Sequence, residues 1–121
     1  MEGYYKIIGA KMVKREEIFN YIKEKYDVTP EYLWEDTPDA AIVRHKNNRK
    51  WFALIMHVKN EEYLNVKTEP RYSELLRNSY NYIIPAYHMN KEHWNTIIIS
   101  KDVDKTLLYE LIDHSYELTK K

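Results

Sequence analysis

Glycine is nearly absent from this chain, and its absence limits how the turns can be built. The 121 residues include two glycines, Gly3 and Gly9, both near the N-terminus. Tight turns need residues that tolerate a positive φ or a fixed bend, so after Gly9 they must use Asn, Asp and Pro. We therefore interpret residues 1–11 as an N-terminal extension or added strand, followed by a single domain over residues 12–121.

The length fits one domain that needs no covalent or metal support. A chain of 121 residues buries about two-thirds of its unfolded surface. Cysteine is absent, which excludes disulfides, Cys-based zinc sites and Cys nucleophiles. No apolar run approaches the roughly 18 residues of a membrane span, and no signal-peptide pattern begins the chain. We therefore expect a cytoplasmic protein without a membrane partner.

Hydrophobic periodicity predicts three helices, over residues 13–26, 70–77 and 103–118. Strand-like runs occupy residues 40–45, 50–59, 63–67, 83–87 and 94–100. Residues 46–49 and 60–62 join neighbouring strands as hairpin turns, with Asn expected at the positions of positive φ. The order α-β-β-β-α-β-β-α predicts an α+β fold in which helices pack on one face of an antiparallel sheet.

Charge is balanced over the whole chain but concentrated locally. Nineteen basic residues face nineteen acidic ones, which excludes a general polycation. Residues 44–50 nevertheless contain four cations and no acid. At the tip of a hairpin, such cations can bind DNA phosphates while Asn side chains reach base edges. The candidate DNA-binding residues are Arg44, Lys46, Asn47, Asn48, Arg49 and Lys50.

A solvated turn is the alternative interpretation of this hairpin, and the zero net charge favours it. Residues 1–40 carry nine acidic and six basic side chains. If their carboxylates fold against the tip, the electrostatic basis for DNA contact is lost.

A second cluster of polar and aromatic residues follows Pro85. His88 and His93 with Glu92 could be considered as metal ligands, but their spacing matches no zinc motif. The remaining interpretations are a turn whose side chains bond to the backbone, or a surface that recognises a protein partner or small ligand. Full burial of Trp94 would exclude the second of these. The surface comprises Tyr87, His88, Asn90, Lys91, His93 and Trp94.

No catalytic constellation can be assembled from the sequence. A glycine-rich phosphate loop is impossible in a domain without glycine. His114 and Ser115 are adjacent on a predicted helix, so their side chains diverge and pair poorly as base and nucleophile. Glu35, Asp36 and Asp39 form an acidic loop typical of a solvated surface. We predict a non-enzymatic protein without a cofactor.

The C-terminal half resembles the MmcQ/YjbR family, through the runs at residues 85–96 and 111–118. Residues 30–34, 50–55 and 65–67 match the same pattern, so the resemblance covers about residues 13–120. It implies a CyaY-like α+β domain that carries a DNA-binding label and has no established catalytic residues. Two features depart from the family pattern: Thr68 stands where members often have Cys, and the connection at residues 59–62 is short. If that connection is a DNA-contacting wing, the departure weakens its role.

Two hypotheses therefore remain. In the first, the domain binds double-stranded DNA through the basic hairpin at residues 44–50. In the second, it is a protein-interaction or small-ligand module that uses the turn at residues 87–94. Salt dependence discriminates between them, because each phosphate contact contributes a slope of about −0.9 to the salt dependence of DNA affinity.

Overall fold

The structure, a computed structural model, describes residues 13–86 and 89–121. Within these ranges the helices are α1 (Arg15–Tyr26), α2 (Pro70–Ser79) and α3 (Lys105–Thr119). The strands are β1 (Ala41–Arg44), β2 (Trp51–Val58), β3 (Glu61–Lys67), β4 (Ile83–Pro85) and β5 (Trp94–Ile98). All pairings are antiparallel, in the order β1-β2-β3-β5-β4. The predicted α+β fold and element order are confirmed, whereas the interpretation of residues 1–11 concerns a segment outside the described residues.

The core lies between the sheet and the helices, which pack on one face that we call the helical face. Alternate strand residues such as Ile55 and Leu64 are fully buried there, against Ile22 of α1 and Leu111 of α3. Burying each of these side chains contributes about 1.5–3 kcal/mol. None of the helices in the described residues is long and apolar enough to cross a membrane.

Tyrosines hold α1 against α3 at the edge of this core. Tyr21 stacks on Tyr109 with ring centroids 4.2 Å apart, and Tyr26 stacks on Tyr116 at 3.8 Å. All four rings are partly buried against the core. Part of the high tyrosine content is thus explained by packing, since a tyrosine can bury its ring while its hydroxyl remains near water.

The two hairpin turns place different residue types at their positions of positive φ, where glycine would be usual. In the β2–β3 turn Asn60 has φ 67°, as predicted, but Lys59 also has a positive φ, of 48°. In the β1–β2 turn the residue with positive φ is Arg49, at 64°, so the prediction of Asn at this position is wrong. Asn48 instead bends the chain with its side chain, because its Oδ1 accepts a hydrogen bond from the backbone N–H of Lys50 at 2.9 Å.

An irregularity in the first hairpin decides which side chains of β2 reach the other face of the sheet. Val43 pairs with Ala53, but Arg44 pairs with Trp51, so Phe52 is an extra residue in β2. Phe52 and Ala53 both join the core. A bulge of this kind shifts the alternation by one position. Trp51 and Leu54 therefore share the opposite face, although their spacing of three would separate them in a regular strand.

The centre of the opposite face is closed rather than open. Asn65 and Thr96 are fully buried there and bond to each other, with Thr96 Oγ1 donating to Asn65 Oδ1 at 2.5 Å. Asn65 also donates from Nδ2 to the carbonyl of Leu54 at 3.2 Å. Asn65 and Thr96 are therefore not available to a ligand at the surface of this face.

Candidate functional site

The cations of the basic hairpin are paired with acidic residues from before β1. Arg44 makes two hydrogen bonds to Glu31, from Nε at 3.0 Å and from Nη2 at 2.8 Å. Arg49 Nη2 lies 3.2 Å from the same carboxylate. Lys46 Nζ donates to Asp27 at 2.7 Å. The carboxylates thus occupy the positions that DNA phosphates would need to take.

The fold itself brings Glu31 to this place. Glu31 forms an isolated β-bridge with Ile42, in which each backbone N–H donates to the other's carbonyl, at 2.8 and 2.9 Å. The hydrogen bond from Arg44, opposed by partial desolvation, lowers the pKa of Glu31. Hydrogen bonds from Lys23 and then Lys46 lower the pKa of Asp27 to about 2. Both carboxylates are therefore charged at neutral pH.

The other hairpin residues contact the end of α3. Asn48 Nδ2 donates to the carbonyls of Thr119 at 2.9 Å and Lys121 at 3.2 Å. Lys50 Nζ donates to the carbonyl of Lys121 at 2.6 Å. Asn47 is exposed. Asn48 thus bonds within the fold, and the arginines and Lys46 are ion-paired, as the alternative interpretation of this hairpin allowed. DNA contact by these residues stays a prediction.

The turn at residues 89–94 is organised by Arg77, at the C-terminal end of α2. Its guanidinium donates to the backbone carbonyl of Lys91, to that of Trp94 at 3.2 Å and to Asn95 Oδ1 at 2.5 Å. Asn90 caps the turn, since its Oδ1 accepts from the N–H of Glu92 at 2.9 Å. Tyr87 and His88 of the predicted surface lie outside the described residues.

The exposed side chains of this turn do not form one patch with the hairpin. Lys91 is exposed, His93 and Trp94 are half-buried, and Trp94 opens β5. Trp94 is therefore not excluded from a surface role. The strand register puts the turn and the hairpin at the same end of the sheet, where β2 and β5 are about 10 Å apart across β3. The acids paired with the hairpin and Glu92 beside Lys91 interrupt any continuous positive surface.

A cleft that the sequence analysis missed lies on the opposite face, at the β1–β2 end. We call it the tryptophan cleft; it has a volume of about 380 Å³. Trp34 and Trp51 both line it and pack edge-to-face against each other, with ring centroids 5.7 Å apart at an angle of 72°. The residues that line it are Trp34, Asp36, Thr37, Ala40, Trp51, Leu54, Met56 and Met89.

Two segments far apart in sequence build this cleft. The loop before β1 contributes Trp34 and Asp36, while Met89 belongs to the turn predicted as a recognition surface. The two tryptophans were visible in the sequence, but the bulge that places Trp51 on the same face as Leu54 was not.

The loop that contributes Trp34 also exposes its apolar neighbours. Tyr32, Leu33 and Trp34 are all exposed, and three neighbouring exposed large apolar residues are unusual in a solvated loop.

Electrostatics distinguish this cleft from the hairpin beside it. Among the described residues that line the cleft, Asp36 is the one with an ionisable side chain. Its carboxylate is exposed and has no ion-pair or hydrogen-bond partner within residues 13–86 and 89–121. A carboxylate at the mouth of an apolar cleft gives the site a negative end.

The adjacent His114 and Ser115 do not form a catalytic pair. Ser115 Oγ is buried, donates to the carbonyl of Phe52 at 2.7 Å and accepts from the N–H of Lys67 at 2.9 Å. His114 instead packs edge-on against Tyr72, with centroids 5.2 Å apart. Ser115 therefore joins α3 to β2 and β3.

Comparison with known proteins identifies the chain's family. The sequence profile of the YjbR family matches residues 23–118, from within α1 to near the end of α3. The chain belongs to the YjbR family. The match contains the basic hairpin, the turn at residues 89–94 and every residue of the tryptophan cleft. The resemblance drawn from the sequence is confirmed.

Relatives of the chain match it over different lengths. The YyaQ protein of Bacillus subtilis is 43% identical over 119 residues, which cover 90% of this chain and 100% of YyaQ. YjbR of Escherichia coli K12 is 35% identical over 66 residues, 54% of this chain and 56% of that protein. A Pseudomonas syringae crystal structure superposes with a TM-score of 0.84 at 34% identity, covering 88% of this chain and 99% of the other. A Deinococcus radiodurans crystal structure has a TM-score of 0.79 at 25% identity, over 92% of this chain and 81% of that chain.

Proposed function

We propose that this YjbR-family domain is a non-catalytic binding module whose ligand site is the tryptophan cleft. The observation that carries the proposal is the contacting pair Trp34 and Trp51 in the lining of an open apolar cleft of about 380 Å³. Small-molecule sites typically have volumes of about 300–1,000 Å³ and apolar, aromatic walls with few polar groups. The proposal keeps the small-ligand hypothesis. It places the ligand in the cleft beside Met89 rather than at the charged residues of the turn.

The walls of the cleft are held in place before any ligand arrives. Trp51 begins a strand that is paired on both sides, with β1 and β3. Trp34 lies three residues beyond the bridge between Glu31 and Ile42, and the loop closes with a hydrogen bond from Ala40 N–H to the Thr37 carbonyl at 3.0 Å. A pre-formed site binds with a smaller loss of conformational entropy than a flexible one.

Contact with duplex DNA is the second candidate function. It is supported by the charge at the tip, where Arg44, Lys46, Arg49 and Lys50 outnumber the two carboxylates that pair with them. The argument against it is that a phosphate must displace Glu31 or Asp27 to reach three of these cations. We therefore rank it below the cleft.

Small phenyl compounds test the cleft directly. We expect 2-phenylethylamine or 2-phenylethanol, titrated into ¹⁵N-labelled protein, to shift the indole N–H resonances of Trp34 and Trp51 with a millimolar Kd. The indole of Trp94 lies outside the cleft lining and is the internal control. Trp51→Ala should abolish the shifts, while Trp94→Phe should retain them. If no phenyl compound shifts either cleft indole at millimolar concentration, the cleft is not a ligand site.

A further inference from the structure

We infer that the tryptophan cleft selects a small organic cation, an amine or ammonium compound with an aromatic or aliphatic body. Its apolar body would lie against Trp34 and Trp51, and its positive charge would face Asp36. This inference rests on the proposed function, since it assigns the ligand class of that same cleft.

The first step is the composition of the lining. Tryptophan, methionine and leucine side chains form the walls, and Asp36 supplies the charge. No Lys or Arg of residues 13–86 and 89–121 lines the cleft. An anionic ligand would therefore meet a carboxylate of like charge without a cation to offset it, whereas a neutral ligand would leave Asp36 without a partner.

The second step is the uneven use of acids in the segment before β1. Residues 27–43 contain five acidic side chains and no Lys or Arg. Asp27 and Glu31 turn toward the hairpin, where the lysines and arginines neutralise them. Asp36 turns toward the cleft and has no such partner in the described part of the chain. The fold thus satisfies the acids on the hairpin side and leaves a negative group at the cleft mouth.

The third step is the chemistry of the walls. Tryptophan is the side chain whose ring face attracts cations most strongly, and Trp34, which lines the cleft, is 39% exposed overall. Met56 and Met89 add flexible, polarizable surfaces that adapt to the shape of an apolar body. The indole rings, the thioethers and the Asp36 carboxylate together complement a ligand that has both a positive charge and a hydrocarbon body. A charge alone or a hydrocarbon alone would contact only part of this lining.

Three phenyl compounds of similar size and different charge test this inference. We expect 2-phenylethylamine to bind about two- to fivefold more tightly than 2-phenylethanol, the range that one exposed charge pair contributes, and 3-phenylpropionate to bind most weakly. Asp36→Asn should remove the preference for the amine. Glu74→Gln makes the same change in charge at an exposed residue of α2, on the helical face and away from the cleft. This control variant should keep the preference for the amine.

The outcomes separate the inference from the proposed function. If the amine and the alcohol bind the cleft equally, the cleft is a ligand site but does not select cations. If the Asp36→Asn variant is folded, with wild-type resonances away from the substitution, and still prefers the amine, Asp36 is not the group that selects the cation. If none of the three compounds shifts the Trp34 and Trp51 indoles, the proposed function fails as well.

Discussion

The guanidinium of Arg44 holds both carboxylate oxygens of Glu31, at 3.0 and 2.8 Å. Two parallel hydrogen bonds between these planar groups form the strongest common ion-pair geometry in proteins. The pair fastens the loop before β1 to the first hairpin and so supports the wall of the tryptophan cleft that contains Trp34. One contact therefore reduces the free charge at the hairpin and stabilises the neighbouring cleft.

Removing the paired carboxylates should expose the cations to DNA. We expect the double variant Asp27→Asn, Glu31→Gln to bind a mixed-sequence duplex more tightly than wild type, because Arg44, Lys46 and Arg49 no longer have intramolecular partners. The slope of log affinity against log salt should steepen by about one to three, at about 0.9 per phosphate contact. Fluorescence anisotropy over a salt series measures this slope.

The matched control for this experiment is Glu74→Gln with Glu110→Gln, which makes the same change in net charge on the helices. If both double variants change DNA binding equally, only the net charge matters and the hairpin has no special role. If the wild type already binds tightly with a steep slope, the ion pairs do not shield the tip, and DNA binding becomes the leading function.

Asp27 should titrate well below an ordinary aspartate. Hydrogen bonds from Lys23 at 2.6 Å and Lys46 at 2.7 Å lower its pKa from 3.8 to about 2. Because the pKa is depressed in the folded state, its stabilising contribution is present above about pH 4 and is lost as the pH falls toward 2. Carboxyl ¹³C NMR should show this midpoint. Lys46→Ala should raise it, whereas Lys105→Ala, which removes a distant ion pair with Glu17, should not.

Asp113 should be a major link between α1 and α3. Its carboxylate accepts hydrogen bonds from Tyr21 at 2.6 Å, Tyr26 at 2.5 Å and Lys25 at 2.8 Å. Burial disfavours its charged form, yet these donors hold its pKa below the usual value. We expect Asp113→Asn to reduce the free energy of unfolding by roughly 1–3 kcal/mol, measured by urea denaturation.

Glu117→Gln provides the comparison on the same helix. Glu117 pairs with Lys120 at the surface, and exposed pairs of this kind contribute less than about 1 kcal/mol. Equal destabilisation by the two variants would contradict the role assigned to Asp113.

Ser115 should be required for stability rather than for chemistry. Ser115→Ala leaves the Phe52 carbonyl and the Lys67 N–H without their partner at the junction of α3 and the sheet. An unsatisfied buried backbone group is costly, so we expect a loss of roughly 2–3 kcal/mol in unfolding free energy. Thermal denaturation should show a lower Tm for this variant, while Ser79→Ala at the exposed end of α2 should remain close to wild type. A Tm unchanged by Ser115→Ala would mean that another group satisfies these two atoms.

Local sequence patterns predicted most of the fold. The periodic run at residues 13–26 corresponds to α1 at Arg15–Tyr26, and the run at residues 103–118 to α3 at Lys105–Thr119. Asp104 caps α3, accepting from the N–H groups of Thr106 and Leu107. Helix periodicity and caps depend on residues within one or two turns of each other, so a single sequence contains that information.

The candidate sites were harder to predict because they depend on partners distant in the chain. The charge of residues 44–50 was visible, but its neutralisation depends on the bridge between Glu31 and Ile42, which no local pattern indicates. Asn95 has no distinctive neighbours in sequence, yet in the fold it is buried, donates to Thr68 at 2.8 Å and accepts from Arg77.

The chain's amino-acid order alone determined the elements, their succession and the family, because hydrophobic spacing and motif composition are properties of neighbouring residues. Tertiary structure alone decided which charges are free and where a ligand can enter. A single extra residue in β2 turns Trp51 onto the face where Trp34 and Met89 arrive from other segments. Coulomb attraction and cavity shape depend on distances through space, and folding sets those distances.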